Sequence, residues 1–268
     1  MSPYVAPKAR GLPGRSEAAT GLTLAAMCGV CLVCCGTSVT GDDTSLDSTS
    51  DALTCGPNDV STYVPGTMNP PIGLHQNACS VQETIDYAQC NSQVDPTKCS
   101  EFTSGQTGAM CAACIESQAS APTWGVIVFN GTTGEVNIGG CVDDALGQVA
   151  SEPSSCGQLL FASYGCQNAA CGGCTGDQFD ACDTLALAGA VSPILASTCK
   201  SYDNLVESSA SPCAALTTAD VLPTAVSNCF PDASLAGNPM QQDADWLTRI
   251  ACFMCGPPMQ DQEGQSCP

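Results

Sequence analysis

The chain has 268 residues, of which 22 are cysteine, 26 acidic, 6 Lys or Arg and one histidine. Its formal charge of −20 excludes a nucleic-acid partner, because displacing counterions from a phosphate backbone needs a basic patch. Cysteine at about 8% of the chain is near the level of a disulfide scaffold in exported proteins.

Lys8, Arg10 and Arg15 form a basic opening, followed by an apolar run from Ala18 to Val33. That run is about 16 residues long and carries Gly21, Thr23 and Gly29. A membrane-spanning helix needs roughly 20 apolar residues, so residues 1–35 read as an export signal. Residues 36–54 hold Asp42, Asp43, Asp47 and Asp51 among Ser, Thr and Gly, the composition of an acidic flexible linker. They lack the Gly and distal Glu of a calcium loop. Residues 55–268 form the disulfide-rich domain, divisible into subdomains of about 55–150 and 151–268.

With residues 1–35 removed, 25 acidic residues face only Lys98, Lys200 and Arg249. Leu, Ile, Val and Phe make up about 18% of what remains, below the roughly 20% under which a highly charged chain stays disordered. Eighteen cysteines are left, an even number: Cys55, Cys79, Cys90, Cys99, Cys111, Cys114, Cys141, Cys156, Cys166, Cys171, Cys174, Cys182, Cys199, Cys213, Cys229, Cys252, Cys255 and Cys267. Full pairing in an oxidising compartment fits that evenness. Bridges worth about 2–4 kcal/mol each are then the means of offsetting chain entropy.

From Cys55 to about Gly73 the Pro- and Gly-rich sequence reads as irregular turns. Ser80-Val81-Gln82-Glu83 is a capping box that opens a helix with Val81, Ile85 and Ala88 on one face. Asp95-Pro96 starts a second helix, broken around Gly105 to Gly108 and resumed from Cys111 to Gln118. Trp124 to Phe129 and Glu135 to Ile138, separated by Gly131 to Gly134, predict a hairpin. Helical spacing returns at Ala188, Val191, Leu195 and Cys199. It recurs at Leu216, Ala219, Leu222 and Val226 with a kink at Pro223, and again at Trp246, Ile250 and Phe253. The fold expected is mainly α: short helices cross-linked by many disulfides, with one small β-hairpin near residues 124–138. No internal repeat is present in the cysteine spacing.

Three CxxC pairs carry possible chemistry: Cys111–Cys114, Cys171–Cys174 and Cys252–Cys255. Two such pairs could hold a tetrahedral zinc, and one pair at a helix N-terminus could be redox-active. No thioredoxin-like βαβ pattern surrounds them. On a helix, the spacing also turns both sulfurs to one side, where each can reach a different neighbour. His75 lies in a loop with no triad pattern around it. Asp177, Asp180 and Asp183 share a helical side next to Cys182, and Asn130-Gly131-Thr132 is a sequon in the hairpin turn. No nucleophile elbow, zinc-protease helix or phosphate loop occurs in the sequence.

Leu32-Val33-Cys34-Cys35-Gly36 resembles the lipobox of bacterial lipoproteins, in which a Leu stands three residues before a cysteine that becomes the lipidated N-terminus. Leu32 takes that slot, Cys34 takes the small-residue slot, and the resemblance implies lipidation at Cys35. Cys28 and Cys31, preceded by Met27 and Val30, fit less well. Cleavage between Gly36 and Gly41 by an ordinary signal peptidase is the alternative. Between about Cys79 and Cys255, the order of features is a CxxC, Trp124-Gly125, a hairpin with Asn137, Cys141, then Cys166 to Cys171 with a second CxxC. This order is similar to that of uncharacterised cysteine-rich exported proteins of myxobacteria, which implies an envelope location and no known activity.

The functional expectation is an exported, lipid-anchored envelope protein, anchored to the outer membrane or extracellular, with a non-catalytic binding or structural role. Its partners are the membrane, through the lipid on Cys35, and an unspecified external ligand. No cofactor is expected. A periplasmic thiol–disulfide oxidoreductase and a metal-binding protein are the alternatives.

Overall fold

Ser80 opens the first helix by the reciprocal bonds its sequence suggests. In the computed structural model the Glu83 N–H donates to Ser80 Oγ at 3.2 Å, and the Ser80 N–H donates to Glu83 Oε2 at 2.7 Å. Residues 55–257 are described, apart from 105, 132, 150–151, 153, 175–176, 188–198, 218–222 and 232–238. The export signal, the acidic linker, Cys35, Cys267, Thr132 and the stretch from Ala188 to Leu195 therefore lie outside the described residues. None of the helices in the described residues is long and apolar enough to cross a membrane.

The first helix, α1, runs Val81–Asn91. Its buried side is Thr84, Tyr87, Ala88 and Cys90, rotated from the expected line of Val81, Ile85 and Ala88. Thr84 can face inward because its hydroxyl donates to the Val81 carbonyl at 2.7 Å, and Tyr87 because its hydroxyl reaches Glu116 at 2.8 Å. At Asp95 the side chain accepts from the Thr97 N–H and hydroxyl. Three i→i+3 bonds then carry the chain to Ser100, so helix α2 begins at Lys98 (Lys98–Ser104) rather than at Pro96. Helix α3 is Gln106–Ile115.

Glu116–Gln118, expected as the end of that helix, is instead strand β1. It pairs in parallel with β2 (Ile127–Asn130), which pairs antiparallel with β3 (Thr133–Val136). The single hairpin of the sequence reading is thus part of a three-stranded mixed sheet in the order β1-β2-β3. Tertiary contact decides this: the Gly125 N–H donates to Ser117 Oγ at 3.0 Å, and any Cβ on Gly125 would collide with the carbonyls of Cys114 and Ile115. Asn130 faces Thr133, so the reversal is tighter than Gly131 to Gly134, with Gly131 at φ +66°. Trp124 sits outside the strands, bridged to Pro71.

Asn137 ends the sheet and caps α4 (Ile138–Leu146), accepting from the Gly140 N–H at 2.9 Å while donating to the Gly125 carbonyl at 3.1 Å. Ser155 caps α5 (Cys156–Cys171). There follow α6 (Asp177–Leu187), α7 (Lys200–Glu207), α8 (Ala214–Thr217), α9 (Thr224–Ser227) and α10 (Pro239–Cys255). Of the stripe from Leu216 to Val226, Leu216 lies on α8 and Val226 on α9, while Ala219 and Leu222 lie outside the described residues. Trp246, Ile250 and Phe253 are buried on α10. The C-terminal carbonyls of α10 are satisfied from outside the helix. His75, Gln76 and Ala78 donate to Phe253, Met254 and Cys255 at 3.1, 3.0 and 2.9 Å. That cap holds His75 and Asn77 at positive φ.

The larger core draws on both sides of residue 150, from Cys79 to Cys255. In a second one, five of the eight buried members are cysteines, with Val60, Ala170 and Ala186, and a third joins Met68 and Trp124. Eight bridges join described cysteines. Cys114–Cys255 encloses Cys141–Cys229, which encloses Cys156–Cys213, then Cys166–Cys199, then Cys171–Cys182. Cys79–Cys111 encloses Cys90–Cys99, and Cys55–Cys174 cuts across the nested set. Cys252 is also disulfide-bonded, to a partner outside the described residues. A chain so bridged belongs to an oxidising compartment.

Candidate functional site

The CxxC pairs do not close on themselves. Cys111 joins Cys79 and Cys114 joins Cys255, while Cys171 joins Cys182 and Cys174 joins Cys55. Cys111 and Cys114 lie on α3 and Cys252 and Cys255 on α10, whereas α5 ends at Cys171 and Cys174 follows it outside any helix. Among the described residues, no group of three or more His, Cys, Asp or Glu side chains could hold a metal ion. His75 packs its ring edge-on against Phe253 at 5.4 Å.

A pocket of about 300 Å³ opens between the sheet, α5 and α6. Three periodicities build it. On α5, Phe161, Tyr164, Gly165 and Asn168 follow helical i, i+3, i+4, i+7 spacing, so one side of the helix faces the space. On the sheet, Val128 and Asn130 on β2, and Glu135 and the following Asn137 across the hairpin, alternate by two. On α6, Phe179 and Asp183 are one turn apart. Trp124 and Phe161 meet at 5.4 Å with planes tilted by 59° and close one end. The indole N–H of Trp124 is already committed to the Ala119 carbonyl at 3.1 Å.

Glycine makes the close approaches around this space. A Cβ on Gly165 would run into the Tyr63 hydroxyl, which donates to the Ala162 carbonyl at 3.3 Å. A Cβ on Gly157 would meet the Gly139 carbonyl and the Asp143 carboxylate, so α4 and α5 pack backbone to backbone. Asp143 is buried there with both oxygens in use. It accepts from the Ser155 hydroxyl at 2.7 Å and the Gly157 N–H at 2.6 Å.

Burial dominates the electrostatics. The Tyr164 phenol is pushed up to about 12, first by burial and then by the charges of Asp183 and Asp203. Partial desolvation also raises the Glu135 carboxyl, although the residue stays exposed on β3. Burial raises Asp143 despite its two hydrogen bonds, and takes Asp144 up to about 6 with help from Asp143. Among the described residues lining the pocket there is no lysine, arginine or histidine.

Of the residues singled out from sequence, only Asp183 and Asn130 line this pocket; the side chains of Asp177 and Asp180 are outside the described set. Trp124 and Asn137, which also line it, enter the sequence reading through the hairpin and the resemblance and not as site residues. Phe161, Tyr164 and Phe179 were missed, although the spacing of 161, 164, 165 and 168 on a helix is a signal that was present in the sequence. No family model matches the chain, and neither does any curated protein or any solved structure.

Proposed function

We propose that the chain is an exported envelope protein, tethered by a lipid on Cys35, whose non-catalytic role is to bind a small ligand in the pocket between the sheet and α5. The observation that carries this reading is the pocket itself. It has aromatic and aliphatic walls from Trp124, Phe161, Phe179, Val128 and Ile138, with a few polar groups among them, and its volume falls in the range of small-molecule sites. The bridging of each CxxC cysteine outside its own pair supports a structural use of the sulfurs over a redox one. The lipobox-like run before Cys35 and the acidic linker after it support a tether that keeps the stapled domain clear of the membrane surface. The likeness to myxobacterial exported proteins supports the same location.

Intact-mass spectrometry of protein taken from its native envelope tests this reading. The expected species starts at Cys35, carries added acyl mass, is lighter by two hydrogens for every bridge, and takes up no alkylating agent before reduction. An unlipidated N-terminus downstream of Cys35, or alkylation of any CxxC cysteine in the unreduced protein, would overturn it.

A further inference from the structure

We infer that the pocket between the sheet, α5 and α6 receives a small organic cation, an amine or quaternary ammonium compound, held by its aromatic walls and by the carboxylates of Glu135 and Asp183. The inference rests on the binding role proposed above and names the ligand class. Charge selects the class first. Two acidic side chains line the pocket, and no basic one does among the described residues. Among the described residues there is no spare cation to send there. Of the chain's six Lys and Arg, the three in the described residues are engaged elsewhere. Lys98 pairs with Asp86 at 3.5 Å, and Lys200 with Asp203 at 3.0 Å and Glu207 at 3.4 Å. Arg249 donates to the Phe230 carbonyl at 3.3 Å. An anion entering the pocket meets two acidic side chains and, among the described residues lining it, no basic one.

The walls select within that class. Trp124, Phe161, Tyr164 and Phe179 put four aromatic rings around one space. Rings attract a cation through their quadrupole, most strongly where water is excluded. A hard metal ion would want converging oxygens instead, and the described residues provide no such cluster. A diffuse charge on an apolar body, the size of a tetraalkylammonium or arylalkylamine, satisfies both the carboxylates and the rings. Asn168 and Asn130, which also line the pocket, carry amides able to hydrogen-bond a hydroxyl or ester on the same molecule.

The test uses the full oxidised protein, with the Trp124 indole resonance as reporter, since Trp246 is buried in the main core at 1% exposure and serves as an internal control. The probes are choline, tetramethylammonium and 2-phenylethylamine, with 3,3-dimethylbutan-1-ol as the neutral isostere of choline and benzoate as an anion. At least one cationic probe should shift Trp124 saturably and leave Trp246 still. The neutral isostere should bind about tenfold more weakly than choline, a factor of the size that cation–π and partly screened carboxylate attraction supply. Glu135→Gln, at an exposed position on β3 that should not disturb folding, should weaken the cation about three- to tenfold and leave the neutral isostere unchanged. Equal affinity for choline and its neutral isostere would refute the charge selection while leaving the pocket as a ligand site. An undiminished cation affinity in E135Q, or no saturable shift with any of the three cations, would overturn the inference itself.

Discussion

Removing Cys114–Cys255 by the double substitution Cys114→Ala and Cys255→Ala should cost about 4 kcal/mol of unfolding free energy, and the structure says why the figure is not larger. The bridge spans 141 residues, for which chain entropy alone gives about 5 kcal/mol. However, Cys141–Cys229 already shortens the loop, leaving 27 residues from Cys114 to Cys141 and 26 from Cys229 to Cys255. A loop of that combined size is worth about 4.2 kcal/mol by the same relation. Cys90–Cys99 closes a loop of only 9 residues with nothing inside it to shorten it further, worth about 2.6 kcal/mol. Guanidinium unfolding of both double variants, with all other bridges oxidised, should therefore rank them with Cys114–Cys255 ahead by about 1.5 kcal/mol. The m-value should also rise for its loss, because the less constrained unfolded chain exposes more surface. A reversed order, or a loss under about 1 kcal/mol at Cys114–Cys255 with m unchanged, would refute the argument that the bridges act by restricting the unfolded state.

Gly157→Ala should destabilise by about 1–3 kcal/mol, since its Cβ meets the Gly139 carbonyl and the Asp143 carboxylate. Gly173→Ala, whose Cβ meets nothing within 4 Å, should stay within about 0.5 kcal/mol of the parent in the same melt. The Asp144 carboxyl rises from 3.8 to about 6 in the fold, so between those values the folded chain holds a proton that the unfolded chain has lost. Stability should then fall as pH rises from about 4 to about 6. Asp144→Asn should flatten that segment of the profile, and an equally steep profile in the variant would contradict the assignment. Cys35→Ala should move the protein from the detergent-extracted membrane fraction to the soluble fraction, or leave it as an uncleaved precursor. An unchanged distribution with the N-terminus downstream of Cys35 would count against the lipid.

What could be read from sequence was whatever is settled locally. Ser80 and Glu83 are three residues apart and cap the same turn, so α1 was visible from four residues. Trp246, Ile250 and Phe253 repeat at helical steps and are buried on α10. β1 was not legible, because Glu116-Ser117-Gln118 has no apolar alternation. It is a strand only because β2 lies beside it and Gly125 lets the backbones approach. The start of α2 was misplaced because Asp95 bonds to Thr97 and makes a turn of its own before the helix. The cysteine partners are set by tertiary proximity, which spacing does not encode. The pocket combines one side of α5 with residues from the hairpin and α6, and nothing in the chain order announces that these meet. Its α5 side alone left a trace, at Phe161, Tyr164 and Asn168.

The nested bridges bear on how the protein can be made. A chain crossing a membrane from its N-terminus delivers its thiols in sequence, and an oxidant acting at once joins neighbours. Of the eight described bridges, only Cys90–Cys99 joins cysteines that are adjacent in the cysteine order. Cys114, Cys141, Cys156 and Cys166 must each wait for a partner that emerges in the reverse of their own order. Closing Cys171–Cys182 first makes the next closures cheap, since each then adds only a short new segment on either side. Cys55, the first of the described cysteines in chain order, must be held back from Cys79 until Cys174 appears. The host compartment therefore needs a catalyst that breaks and remakes wrong pairs as well as one that oxidises them, and expression in a strain able only to oxidise should yield soluble but mispaired chains.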